Sequence, residues 1–232
     1  MIQIRKSKER GHFDHGWLNT YHTFSFSDYY DPNFMGFKSL RVINEDIVAK
    51  GEGFPTHGHK NMEIVTYILS GALEHKDSTG SQGVIRPGEV QKMSAGRGIR
   101  HSEYNHLKDQ DTHLLQIWIE PDQDGLPPGY IQKDFSDALN TGAATLLCSK
   151  TARDGSILIY QDAEIWAKRY LKTDSWEFRL EPKRSAWIQV AKGSVTLNST
   201  PLSQGDGAAV QGESIFTLKA DAGAEVIVFN LL

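Results

Sequence analysis

Short apolar runs, each broken by turn residues, dominate this chain. Leu40-Arg41-Val42-Ile43, Ile64 to Leu69, Leu114 to Ile119, Ala186 to Val190, Val195 to Leu197 and Glu225 to Leu231 are rich in β-branched or aromatic side chains. Runs of that length and content, bounded by Gly, Pro, Asn, Asp and Ser, predict strands. Helical periodicity does not extend beyond a turn or two, except over Ser136 to Gly142. Many short strands and almost no helix predict an all-β sandwich or barrel.

The pattern also repeats. Gly71-Ala72-Leu73-Glu74, a polar turn and Pro87-Gly88-Glu89 resemble Gly193-Ser194-Val195-Thr196, a polar turn and Gly205-Asp206. The second copy is one shortened hairpin tighter, which predicts two similar barrels in tandem. Pro121-Asp122-Gln123-Asp124-Gly125-Leu126-Pro127-Pro128 opens the connection, and the domains are expected at residues 1–134 and 135–232.

Composition narrows the class. A chain of 232 residues with 39% hydrophobic and 23% charged content suits a globular protein with room for two modest cores. The net charge of −4, with no basic run beyond the mixed segment Lys6 to Arg10, leaves no electrostatic footprint for direct nucleic-acid binding. Cys148 is the lone cysteine, so no internal disulfide framework exists and a reducing, cytoplasmic location is expected. No apolar leader follows Met1, and no apolar stretch is long enough to span a bilayer.

The chemistry concentrates in two pairs, His57-Gly58-His59 and His101-Ser102-Glu103. Alternate side chains of a strand share a face, so each pair aims two ligand-type groups the same way. If the two strands are neighbours, three imidazoles and a carboxylate converge as an N₃O metal site. Neutral imidazole and carboxylate suit Fe, Mn, Co, Ni, Cu or Zn, and four ligands without thiolate leave a position open for chemistry. All nine His lie at or before His113, so an imidazole site belongs to the N-terminal barrel alone.

The surroundings resemble the two cupin motifs. Gly51 precedes His57 with five residues, Glu52 to Thr56, between them, Glu63 and Gly71 follow, and Ser94-Ala95-Gly96-Arg97-Gly98 leads into His101, with Asn105 closing the segment. Beyond these, His22-Thr23-Phe24-Ser25-Phe26, Tyr29-Tyr30-Asp31-Pro32, Met35-Gly36-Phe37, Phe54-Pro55-Thr56-His57-Gly58-His59, Met93 to Ile99 and Gln116-Ile117-Trp118 resemble the pirin family, closest to bacterial pirin-like quercetin 2,3-dioxygenases. The resemblance covers nearly the whole chain. It implies two tandem cupin (jelly-roll β-barrel) domains and one divalent transition metal, usually Fe²⁺, held by His57, His59, His101 and Glu103. It further implies cleavage of a flavonol such as quercetin by O₂ with release of CO, and Glu103 as the group that takes the substrate proton. Some pirins act instead as iron-dependent, redox-sensing regulators through protein partners; the same four ligands would serve.

Ordinary cupins draw their carboxylate from the first motif, here Glu63; the pirin pattern places it at Glu103. Glu63 is expected to make a structural hydrogen bond. His12 and His15 are read as loop residues, His22 as a core or edge histidine, and His75, His106 and His113 as ordinary. Phe24, Phe26, Tyr29, Tyr30, Phe34 and Phe37 build core or shape a flat pocket.

Overall fold

Twenty-two short strands account for nearly all the regular structure of the chain, seen in a computed structural model that describes all 232 residues. In chain order they are β1 (Ile2–Arg5), β2 (Gly11–Asp14), β3 (Leu18–His22), β4 (Leu40–Val48), β5 (Gly53–His59), β6 (Glu63–Ser70), β7 (Leu73–Asp77), β8 (Gln82–Ile85), β9 (Glu89–Ser94), β10 (Ile99–Asn105), β11 (Thr112–Ile119), β12 (Gly129–Asp134), β13 (Thr145–Ser149), β14 (Ile157–Leu158), β15 (Ala163–Arg169), β16 (Asp174–Arg179), β17 (Ser185–Lys192), β18 (Ser194–Leu197), β19 (Thr200–Ser203), β20 (Gly207–Val210), β21 (Ile215–Ala220) and β22 (Glu225–Leu231). The helical hint shrinks to a single turn, α1 (Ser136–Leu139).

The strands form two units. The N-terminal unit holds Gly11–Asp134 and Ile159–Gln161; the C-terminal unit holds Met1–Arg10, Phe135–Leu158 and Asp162–Leu232. The first ten residues belong with the second unit because β1 pairs antiparallel along β20, Ile2 opposite Val210.

Each unit is built from one seven-stranded and one four-stranded sheet. In the N-terminal unit the orders are β12-β9-β6-β11-β4-β3-β2 and β5-β10-β7-β8; in the C-terminal unit they are β1-β20-β17-β22-β15-β13-β14 and β16-β21-β18-β19. Laid side by side, β9-β6-β11-β4-β3 matches β20-β17-β22-β15-β13, and β5-β10-β7-β8 matches β16-β21-β18-β19. The tandem repeat is therefore one of topology. Gly71 and Gly193 sit at equivalent corners, between β6 and β7 and between β17 and β18, with φ of 83° and 67°, a conformation open to Gly at no steric cost.

The two barrels are filled differently. Where the N-terminal unit places His57, His59 and His101 on β5 and β10, the C-terminal unit has Trp176, Phe178, Phe216 and Leu218 on β16 and β21. Phe178 and Phe216 stack at 5.2 Å within a continuous apolar core that includes Val190, Val195, Leu202 and Val228. In the N-terminal unit the apolar side chains divide into separate clusters, one around Leu18, Val48, Ile68, Leu73, Ile85 and Leu114, another around Ile64, Met93, Ala95 and Ile99. Thr66, Gln91, His75, His101, Glu103 and Asn44 are buried in the same unit.

Candidate metal centre

The register of the four-stranded sheet builds the centre. Strand β10 runs antiparallel between β5 and β7, with His101 opposite both His57 and Asp77. Alternation then turns Ile99, His101, Glu103 and Asn105 inward, and all four are buried. The pairing of β10 with β5 shifts between His101 and Glu103, so Glu103 faces Phe54 on one side and His75 on the other. Gly53 permits this close passage, since a Cβ there would collide with the Glu103 carbonyl oxygen and the Tyr104 backbone. Asn105 fastens the end of β10, donating to the carbonyls of Val48 and Gln110 at 3.0 and 2.9 Å.

Three imidazoles meet at one point, with ring centroids 4.5 Å (His57–His101), 4.7 Å (His57–His59) and 4.9 Å (His59–His101) apart. Their ligand nitrogens all lie within 4.8 Å of one another. Burial, reinforced by His57, pushes His59 down to about 4; burial followed by the neighbouring imidazoles pushes His101 down to about 3. Both are therefore neutral near pH 7, each with a free lone pair.

Hydrogen bonds fix which nitrogen is free. His57 Nδ1 lies 2.8 Å from the Pro55 carbonyl, which can only accept, so Nδ1 carries a proton and Nε2 is the nitrogen left for a metal. His75 Nε2 lies 2.9 Å from the Asp77 carboxylate and His75 Nδ1 lies 3.5 Å from His101 Nδ1. A consistent assignment has His75 donating to Asp77 and accepting from His101 Nδ1–H, which leaves His101 Nε2 bare. The two bare nitrogens, His57 Nε2 and His101 Nε2, face each other at 3.1 Å. Two lone pairs at that separation repel unless a cation sits between them, and it suits two nitrogens bound at about 2.1 Å to one metal. The donor set thus fits a divalent transition metal.

Glu103 stands beside this triplet, clustered with His101 and His75. Gln116 Nε2 donates to its Oε2 at 2.9 Å, Gln91 Nε2 to its Oε1 at 3.3 Å, and Thr66 Oγ1 lies 3.5 Å from Oε1. Burial pushes its carboxyl up to about 7, against the Gln91 hydrogen bond and with the charge of Asp46 adding to the rise. These donors hold the carboxylate in one orientation.

A cavity of about 350 Å³ opens over the three imidazoles and Glu103, a size typical of small-molecule sites. Phe26, Phe54, Pro55, Ile64 and Trp118 wall it; Asn44, Asp46, Thr56 and Gln116 supply the polar lining. The Trp118 ring meets His59 edge-on at 4.9 Å and Phe26 at 5.3 Å.

The remaining candidates fall outside. Glu63 pairs with buried Lys92 at 3.3 Å and accepts the Tyr160 amide at 3.3 Å, the structural role expected of it. His22 is buried among Phe13, Phe26 and Tyr29, His12 bonds Asn19, and His106 and His113 pair with Glu74 and Glu45. Cys148 is buried. The sequence reading missed His75, which backs His101. Its signal was the i, i+2 pair His75 and Asp77 on an alternating strand, the same spacing as the motifs themselves. It also missed the Gln91, Thr66 and Gln116 supports, which carry no motif.

Two jelly-roll-like barrels in tandem, one of them presenting clustered imidazoles to a cavity, define a bicupin with a single candidate metal centre. The chain matches the pirin family over residues 3–119 and the quercetinase C-terminal cupin domain over residues 146–231. It is 49% identical to the quercetin 2,3-dioxygenase of Escherichia coli (strain K12) over 231 residues, spanning 100% of this chain and 99% of that one. It is 39% identical to a pirin-like protein of Caulobacter vibrioides over 99% of each. The crystal structure of YhhW from Escherichia coli superimposes with a TM-score of 0.96 at 48% identity, covering 100% of this chain and 98% of that chain. The bacterial pirin YhhW in complex with nickel(II) superimposes with a TM-score of 0.94 at 48% identity, covering 100% and 99%. This chain belongs to the pirin family.

Proposed function

We propose that this protein is a metal-dependent dioxygenase that opens the heterocycle of flavonols such as quercetin. The observation that carries the reading is the joining of three imidazoles and a carboxylate to a cavity with aromatic walls. The names of the relatives point the same way. His57, His59 and His101 are the nitrogen ligands and Glu103 is the oxygen ligand; Fe²⁺ is the metal the family resemblance implies, and the nickel complex of YhhW supports a first-row divalent ion more broadly.

A divalent metal bound there supplies a Lewis acid that favours the deprotonated form of a substrate hydroxyl. The protein does the rest. Glu103 accepts the substrate's hydroxyl proton at a carboxylate oxygen free of the metal. Phe26, Phe54 and Trp118 bind the flat rings and exclude water, so that reaction with O₂ is not diverted to hydrolysis. Both oxygen atoms then enter the ring-opened product and one ring carbon leaves as CO. The substrate is a small molecule, O₂ is the co-substrate, and no nucleic acid or membrane takes part; we place the protein in the cytoplasm on the strength of its lone cysteine.

The test is metal removal and reloading. Stripped protein is reloaded separately with Fe(II), Ni(II), Co(II), Mn(II), Cu(II) and Zn(II), and aerobic quercetin loss is followed beside a His57→Ala/His101→Ala protein. Turnover restored by at least one metal, and absent in the double variant, is the expected result. Stoichiometric metal binding with no turnover for any ion would refute the enzymatic reading.

A further inference from the structure

Across the seven-stranded sheet of the N-terminal unit, Gln91, Thr66, Gln116 and Asn44 stand in one register row on β9, β6, β11 and β4. The first three serve Glu103. Gln91 Nε2 also donates to Thr66 Oγ1 at 3.0 Å, and Thr66 Oγ1 lies 3.3 Å from Gln116 Oε1. Asn44, the fourth, is 4% exposed, lines the cavity, and its Oδ1 has no hydrogen-bond partner. Asp46, two residues on and facing the same way, is also 4% exposed and lines the cavity with an unpartnered Oδ1. Only Thr20 serves its carboxylate as a hydrogen-bonding side chain. The indole Nε1–H of Trp118, on the same wall, is unpartnered too.

Buried polar atoms without partners are uncommon and costly. Three residues lining one small-molecule cavity each carry such an atom, which marks a place where a ligand completes the bonding. Two of the three are acceptors, so the missing partners are chiefly donors. Aliphatic or aromatic C–H edges cannot fill that role; hydroxyl groups can.

We propose that Asn44 and Asp46 form a specificity subsite that binds hydroxyl groups of the substrate remote from the edge that meets the metal, with the Trp118 N–H as an auxiliary donor. This deepens the flavonol reading and rests on it. The preferred substrate class becomes polyhydroxylated flavonols, set apart from those whose outer rings are bare. A bare ring leaves both buried acceptors unsatisfied, and sites built to bond a hydroxyl reject analogues lacking it.

The experiment measures anaerobic binding of quercetin and of 3-hydroxyflavone, which keeps the chelating edge and lacks every other hydroxyl, to the nickel-loaded protein. Wild type, Asn44→Leu and Asp46→Asn are compared, with metal content measured in each. Asn44→Leu replaces an unpartnered buried acceptor by an apolar group of similar size, a change that folded proteins tolerate well. The expected result is that quercetin binds about tenfold or more tightly than 3-hydroxyflavone to wild type, and that the ratio falls severalfold in both variants at unchanged metal content. Equal affinities in wild type, or a ratio unmoved by both substitutions, would overturn the subsite and show that water satisfies these oxygens, leaving the flavonol reading in place. Failure of metal-loaded wild type to bind either compound would overturn the flavonol reading and the subsite together.

Discussion

At the residue scale, the centre depends on proton placement as much as on ligand identity. His101 presents a bare Nε2 because its Nδ1–H is taken by His75, itself held by Asp77. Groups behind a metal-bound imidazole set its tautomer and basicity, and losing one typically costs about 10–100-fold in metal affinity. His75→Phe is therefore expected to weaken metal binding by about that factor in a chelator competition, with the fold intact; unchanged affinity would remove His75 from the centre. Glu63 makes the opposite case. Removing its partner leaves a carboxylate 1% exposed facing only the Tyr160 amide. Breaking a buried pair in this way costs about 3–5 kcal/mol. Lys92→Met should lower the denaturation midpoint strongly while the folded fraction still binds one metal per chain. The clustering of His57, His59 and His101 was legible because i, i+2 spacing on a strand has a geometric meaning. His75 shares that spacing with Asp77 but was passed over, because what the pair faces is known only once the neighbouring strand is placed.

At the scale of elements, one apolar run, Glu225–Leu231, coincides with its strand and the others are extended at one or both ends. Leu40 to Ile43 continues to Val48, because Asn44, Glu45 and Asp46 break the apolar pattern while staying in the ladder with β11 and β3. Polar residues inside a strand are what hid that extension, and two of them, Asn44 and Asp46, line the cavity. Strand β1 shows a different limit. Nothing in Ile2–Arg5 announces β20 as its partner, since long-range pairing leaves no local trace. Its junction is held by Asp206, whose carboxylate accepts the Ser7 amide at 2.7 Å, the Ser203 amide at 3.0 Å and the Lys6 ammonium at 2.9 Å. Burial alone would raise this carboxyl, but these donors outweigh it and hold it below the usual range. A folded-state value below the unfolded one stabilises above the unfolded pKa, and that stabilisation is lost as pH falls through the folded value. Asp206→Asn should thus cost about 1–3 kcal/mol at pH 7. The gap from wild type should close as pH drops below about 4, read from denaturant midpoints across pH. A gap independent of pH would show that the charge contributes nothing.

At the scale of the whole molecule, one topology occurs twice with different fillings. The repeat was visible in two pairs of glycine corners; the histidine count alone assigned the imidazole site to one copy. What sequence did not reveal is that the other copy closes the equivalent place with Phe178 and Phe216. A site that binds metal only when folded also couples binding to stability: about 2.7 kcal/mol at a hundredfold excess over Kd. Metal addition should raise the melting temperature of wild type in calorimetry and leave the His57→Ala/His101→Ala protein unmoved. An equal rise in both would place the stabilising metal elsewhere.

The central claim, that this cavity performs dioxygenation of a flavonol, is tested most directly by isotope. Metal-loaded protein is given quercetin under ¹⁸O₂, and the product and headspace are analysed by mass spectrometry. Incorporation of both labelled atoms into the ring-opened product, with one CO released per quercetin consumed, is the predicted result. Quercetin left intact by fully metal-loaded protein, or a product carrying no label, would contradict it.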